Sequence, residues 1–404
     1  MQHKEHPKGK TLTLITLIIA AETIYMLPFV LPRVFRPTLL DLFGISNTEL
    51  GLWFSVYGIV AMVSYLAGGP IADRFPARKL MAWALWLTSA GGVLMSLVPS
   101  SRIMLIVYAF WGFSTICLFW SAMIRATREW GGTDFQGRAF GWLEGGRGTV
   151  AALLATLSFL LFSQIGNLRW VILAISAITL LSGILVWVFI PNGSPRRSGT
   201  RTRDVVREVS SLLRMRNTWL LSIIVLCAYI GYKITDDYSL FAREVLGFSE
   251  VHAAGIGTIA LWFRALVAIL TGYLADRFKR IDVIVVSFAF TLAGGLLIGL
   301  GISDGVTSLL LLNLAFTALG IYGVRALYFA VMKEAKIPVG LTGTAVGIVS
   351  IVGFAPEIFI GPWMGHLLDR TPGAAGHADV FMLLSAFALA GLVTALLFRR
   401  SARS

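Results

Sequence analysis

Residues 69–79 read GPIADRFPARK, and residues 272–280 read GYLADRFKR. Gly, Ala, Asp, Arg and Phe recur in place 203 residues apart, in a chain of 404. A charged, tight turn used twice at half-length spacing is the mark of a tandem duplication with copies of about 200 residues. In each copy the turn follows the second apolar segment. A shorter echo, GHLLDR at 365–370, comes three segments after the second copy, where an inverted three-helix repeat would place it.

The rest of the chain fits this frame. It is 57% hydrophobic and 14% charged, with 41 glycines and 12 tryptophans, which excludes a soluble globule and points to a polytopic membrane protein. Twelve apolar segments are expected, at 11–33, 48–70, 79–99, 102–127, 138–164, 168–191, 218–245, 251–275, 281–302, 306–331, 341–367 and 378–398. The fold class is therefore all-α: two six-helix bundles, 1–191 and 218–404, joined by a basic linker over 192–217. The first segment is longer than a signal-peptide core and lacks a small-residue cleavage pattern, so it reads as a retained helix.

Basic residues set the orientation. The side shared by the termini and the linker holds 23 of the 34 lysines and arginines, while six, Arg33 and Arg36 among them, fall on the other side. Cytoplasmic loops retain positive charge, so both termini are expected in the cytoplasm of a bacterial inner membrane. The net charge of +13 then marks topology and contact with lipid headgroups, and no nucleic-acid partner is implied. Cys117 and Cys227 lie in apolar stretches and read as packing residues, with no disulfide, metal or cofactor site expected.

The paired G-x-x-x-D-R turns (Gly69, Asp73, Arg74; Gly272, Asp276, Arg277), the twelve segments and the long basic central loop resemble the major facilitator superfamily over essentially the whole chain. That resemblance implies two bundles around a central cavity that rock to give alternating access. It makes the two turns gates and hinges, with the Asp accepting from helix amides or pairing with Arg and the Gly permitting close helix approach. Finer likeness runs to the organophosphate:phosphate antiporter branch and neighbouring organic-anion transporters. It rests on GPIADRFPAR, on FWSAMIRATREW at 119–130 and on DDYSLFAREVLGFS at 236–249. That branch carries a phosphate-binding arginine in its first helix, whereas ETIYMLPFVLP at 22–32 has no basic residue. This departure argues against an organophosphate or phosphate substrate.

Ten ionisable residues remain inside apolar segments: Arg125, Arg147, Lys233, Arg264, Arg325, Glu22, Glu144, Asp236, Asp237 and Glu357. Each costs roughly 2.5–3.5 kcal/mol at membrane depth, so each is expected to face a bundle interior or a watery cavity. Glu22 lies ~16 Å into the first helix, beside Pro28 and Pro32, and reads as a proton-coupling carboxylate or a structural hydrogen-bond partner. Arg264 suits bidentate capture of a carboxylate, or an interhelical salt bridge. Arg325 and Glu357 read as a charge pair, or as a ligand contact and a proton site. Arg125, and Glu144 with Arg147 three residues on, read as gate residues near the cytoplasmic mouth. Lys233 needs only one of Asp236 and Asp237 to neutralise it, which leaves the other free to titrate. Tyr25 and Tyr232 neighbour buried charges and are candidate substrate contacts.

The expected function is secondary transport of a small polar, anionic organic solute coupled to protons, by a monomer. A solute receptor and an efflux pump for amphipathic compounds are the alternatives; the charged interior argues against the pump. An enzyme is not expected, since no nucleophile motif, histidine cluster or phosphate loop is present.

Overall fold

The structure, a computed structural model, describes residues 7–132, 136–192, 209–302, 305–328, 330–332, 334 and 342–403, and no strand occurs among them. With no water in a bilayer core to satisfy backbone amides, an apolar chain of this length has to close its hydrogen bonds within each segment. Among the described residues the longer helical stretches are numbered α1 to α12. In the first half they are α1 (Lys10–Val34), α2 (Asn47–Arg74), α3 (Ala77–Ser96), α4 (Ser101–Gly131), α5 (Gln136–Ile165) and α6 (Leu168–Phe189). In the second half they are α7 (Arg216–Glu244), α8 (Glu250–Arg277), α9 (Arg280–Gly299), α10 (Thr307–Leu327), α11 (Ala345–Arg370) and α12 (Ala374–Arg403). Ten of them pass a test of length and hydropathy for crossing a membrane, or eleven with α2 taken as one bent span, so the expected twelve apolar spans are not all matched. The twelfth, α3, is 20 residues long and begins ARK, which dilutes its apolar character.

The chain divides into two packing units. One holds Met1–Ile45, Leu52–Ser198 and Ser249–Trp262; the other holds Ser46–Gly51, Gly199–Phe248 and Phe263–Ser404. Of the linker expected over 192–217, residues 193–208 lie outside the described part, as do Lys333 and Lys336. Arg33 and Arg36, expected in an outer loop, are instead only 1% exposed at the end of α1 and the start of the short helix that follows it.

Helix breaks fall where the sequence forbids a regular ladder. Pro70 cannot donate and its ring crowds the carbonyl of Leu66, and α2 bends by 55° between Tyr65 and Ala67. In α1, Pro28 sits in a π-helical turn over Met26–Val30, and a second π-helical stretch spans Phe113–Trp120 in α4. α11 is interrupted between Gly353 and Pro356. α7 tightens to a 3-10 turn at Thr235–Asp237, where the Thr235 hydroxyl donates to the Tyr232 carbonyl at 2.7 Å.

Lipid gives helices no hydrophobic reason to associate, so small residues let backbones come close instead. In the first unit a side chain on Gly91 would run into the Trp111 ring, whose Nε1 donates to the Thr88 carbonyl at 3.1 Å. In the second unit Gly320 on α10 lies against the backbone of Ser287 and Thr291 on α9. Gly320→Val is therefore expected to destabilise by about 1–3 kcal/mol, read as a lower melting temperature of the purified protein. Gly347→Ala, where an added Cβ meets nothing within 4 Å, should leave melting unchanged or raise it.

Candidate solute and proton site

In the first unit the charges gather around Arg147 on α5. Its Nη1 donates to Glu144 Oε1 at 2.9 Å and its Nε to Glu22 Oε2 at 3.2 Å. The guanidinium also lies over two aromatic faces, 5.6 Å from the Tyr25 ring centre and 5.9 Å from that of Trp120. Tyr25 directly precedes the π-helical turn of α1, and Trp120 ends that of α4, so the two irregular stretches flank the residues that hold the arginine. The expected i, i+3 pair of Glu144 and Arg147 is present, with Glu144 mostly exposed. Arg147 also neutralises Glu22, which is 3% exposed, and so joins α5 to α1.

In the second unit Lys233 does the corresponding work. It is 2% exposed, and its Nζ lies 3.0 Å from Asp236 Oδ2 and 3.2 Å from Glu357 Oε1. Tyr229 donates to the other oxygen of Glu357. Glu357 stands in the first turn after the break in α11, where the positive end of the helix dipole favours a negative charge. Tyr232, one turn from Tyr229, receives two arginines: Arg264 Nη1 is 3.3 Å from its hydroxyl, and the Arg325 guanidinium lies 3.6 Å over its ring. The cluster thus brings together Lys233, Asp236, Glu357, Arg264, Arg325 and Tyr232, which come from α7, α8, α10 and α11.

The two units use corresponding helices with opposite signs. An acid on α1 meets a base on α5, and a base on α7 meets an acid on α11. A tyrosine one repeat apart, Tyr25 or Tyr229, contacts the α5 or α11 residue in each.

The expectation of a spare carboxylate beside Lys233 does not hold. Asp236 takes the lysine, but Asp237, 0% exposed, is matched by His377 on α12, with Nδ1 at 2.7 Å from its Oδ2. Spacing within α7 gave no sign of this, because the partner comes from 140 residues away. The last apolar segment was expected to begin at 378, so His377 stood just outside it and nothing in the sequence singled it out.

The duplicated turns are more open than expected. A Cβ on Gly69 or Gly272 would meet nothing within 4 Å, so neither glycine makes the close approach assigned to it; Gly68, against Ser121 and the Cys117 carbonyl, does. Asp276 and Arg277 are exposed, as is Arg74, and Asp73 is half-buried. Arg125 reaches the first turn, donating from Nη1 to the Ala72 carbonyl at 2.6 Å and from Nε to Glu129 at 2.7 Å. In the GHLLDR echo, Asp369 caps the start of α2. It accepts from the amides of Asn47 and Thr48 at 3.0 and 2.8 Å and from the Thr48 hydroxyl at 2.6 Å.

Removing Lys233 leaves two buried carboxylates without their cation. Lys233→Met should therefore destabilise by about 3–5 kcal/mol, and adding Glu357→Gln should recover part of the loss, as measured by melting of the purified variants.

Comparison with known proteins agrees with this architecture. A family profile described as Major Facilitator Superfamily matches residues 13–359. The chain is 30% identical to the inner membrane protein YqcE of Escherichia coli K12 over 421 aligned residues, covering 99% of this chain and 97% of that one. It is 24% identical to the inner membrane protein YihN of the same organism, with 94% and 93% covered. Among solved structures, a bacterial homolog of the human lysosomal transporter Spinster, inward-facing and unoccupied, superposes with a TM-score of 0.76 at 15% identity, over 98% of each chain. A mutant of the nucleoside transporter NupG gives the same score and identity over 97% of this chain and 99% of that one. The chain belongs to the major facilitator superfamily, and it is a membrane solute transporter rather than an enzyme.

Proposed function

We propose that the protein moves a small organic anion across a bacterial inner membrane by alternating access, in company with protons and with both termini in the cytoplasm. The observation that carries this reading is the pair of arginines on Tyr232. In the cluster of the second unit, Lys233, Arg264 and Arg325 stand with the carboxylates of Asp236 and Glu357. A guanidinium offers the planar, two-point donor geometry that a carboxylate accepts, and two of them meet at Tyr232. In the first unit Tyr25 is the proposed solute contact and Glu22 the proton-coupling carboxylate, while Arg125, Glu144 and Arg147 with the two G-x-x-x-D-R turns supply the gates. Inner-membrane placement is supported by the names of the two Escherichia coli relatives and by the apolar helices.

A melting-shift panel of lactate, gluconate, glucuronate, succinate and glycerol 3-phosphate tests the solute class, since whatever binds the folded state raises its melting temperature. A carboxylate should stabilise the wild type. Arg264→Ala and Arg325→Ala should each weaken that binding by about 10- to 100-fold, the loss of one charge-assisted contact. Stabilisation by cationic amphiphiles in place of acids would overturn the reading. For the stabilising acid, uptake into proteoliposomes should rise with an imposed pH gradient; uptake indifferent to the gradient would remove the proton from the scheme.

A further inference from the structure

His377 is not needed to neutralise Lys233 or to hold a solute at Tyr232, yet it is wholly buried with a carboxylate at each ring nitrogen. Nδ1 is 2.7 Å from Asp237 Oδ2 and Nε2 is 3.2 Å from Glu244 Oε2. A neutral imidazole has one N–H and one lone pair, so it cannot donate to both carboxylates; both contacts are hydrogen bonds only when the three groups hold a further proton, on the ring or on one of the carboxyls. The surroundings are dry. Phe241 stands edge-on to the ring at 5.3 Å, and Phe381 packs against Phe241.

The three groups span a gradient of exposure. The Glu244 side chain is 32% exposed, while His377 and Asp237 are at 0%. They lie at the beginning of α12, the end opposite the C-terminus, which the orientation proposed above places towards the outside. Asp237 Oδ1 is buried and has no hydrogen-bond partner among the described residues. Its neighbour in the same 3-10 turn is Asp236, which leads through Lys233 to Glu357 and Tyr229.

We propose that Glu244, His377 and Asp237 form the outer mouth of a proton path that continues along α7 through Asp236 and Lys233 to Glu357. Buried alternations of acid and base are the means by which membrane proteins carry protons past hydrocarbon. With Nδ1–H donating to Asp237, a proton on Glu244 passes to Nε2 and gives the imidazolium. The Nδ1 proton then moves to the Asp237 carboxylate, leaving the other neutral tautomer, which resets when the ring turns over. One proton enters and one leaves, and His377 returns to its starting charge. From Asp237 the proposed path passes to its sequence neighbour Asp236 after a side-chain rotation, since adjacent residues of a helix do not face each other, and Glu357 ends it beside the solute cluster. The inference rests on the proton-coupled reading above and names its residues.

Other titratable groups near the ring do not complete a competing route. On the terminal turns of α7, Tyr238 stacks on Phe381, and Arg243 adjoins Glu244. Asp379, on α12 itself, is exposed and accepts from Thr371 at 3.5 Å. On α9, Asp282 is held by Arg399 near the far end of α12. On α11, Asp369 is engaged with Asn47 and Thr48, and Tyr322 of α10 is buried.

The test uses the full-length purified protein with the proton itself as probe. Melting temperature is recorded across pH 5 to 9 (the range in which histidine changes charge) for the wild type, His377→Gln and Glu244→Gln. Glutamine keeps a donor and an acceptor but carries no proton. The wild type should show a pH-dependent step that His377→Gln abolishes and Glu244→Gln displaces. A uniform loss of stability at every pH in His377→Gln would make the cluster a structural clasp and overturn the path, as would an unaltered profile. Should His377→Gln fail to fold, Glu244→Gln, altered at a half-exposed side chain, and infrared titration of wild-type carboxyl groups decide the matter. A carboxyl band that titrates in the wild type and shifts in Glu244→Gln supports the path; one that Glu244→Gln leaves unaltered, or no titrating band, overturns it. These titrations report proton binding whether or not solute moves with protons. A transporter indifferent to the pH gradient whose His377 still titrates would lose the coupling alone.

Discussion

An ammonium group that is 2% exposed cannot be left without counter-charge, and the arrangement of the second unit follows from that condition at Lys233. Ion pairs removed from water are tolerated when their geometry is good and their remaining lone pairs are satisfied. Here the condition recruits Asp236 from the same helix and Glu357 from α11, and Glu357 in turn recruits Tyr229. Glu357 brings α11 to the lysine on α7, and the arginines on the neighbouring Tyr232 bring α8 and α10, so four helices meet around one cation and the tyrosine beside it. The first unit meets the same condition at Arg147 with two carboxylates and two aromatic faces.

Irregular backbone accompanies these charges. The π-helical turns of α1 and α4 adjoin Tyr25 and Trp120, the 3-10 turn of α7 carries Asp236 and Asp237, and the break in α11 begins the turn bearing Glu357. A regular helix directs its side chains along fixed rows, whereas a widened or tightened turn re-aims them and releases backbone groups that must find other partners. Prolines at 28 and 356 account for two of these departures. Thr235, whose hydroxyl bonds to the Tyr232 carbonyl, accounts for a third.

Much of this was legible in the sequence. The repeated G-x-x-x-D-R turn gave the family, and the apolar segments fall on helical stretches with shifts of a few residues at their ends, ten or eleven of them long and apolar enough to cross a membrane. Glu22, Lys233, Asp236, Asp237 and Glu357 were visible as exceptions to hydropathy, whereas the burial of Arg33, Arg36 and His377 was not. Their pairing was only half visible, because periodicity relates residues on one helix and says nothing of what a neighbouring helix presents. Glu144 with Arg147 and Lys233 with Asp236 follow from spacing; Glu22 with Arg147, Glu357 with Lys233 and His377 with Asp237 do not. The glycines of the repeated turn misled for a related reason. A motif marks where small size matters at some stage, and the close contact in this conformation is made one residue earlier, at Gly68.

The sign-reversed pairs have a consequence for motion. Glu22 with Arg147 closes inside the first unit, and Lys233 with Glu357 closes inside the second. Stripping a buried ion of its partner is among the costliest events available to a protein. Neither pair depends on a partner from the other unit, so the alternating access proposed above would not require either buried ion to be stripped of its counter-charge.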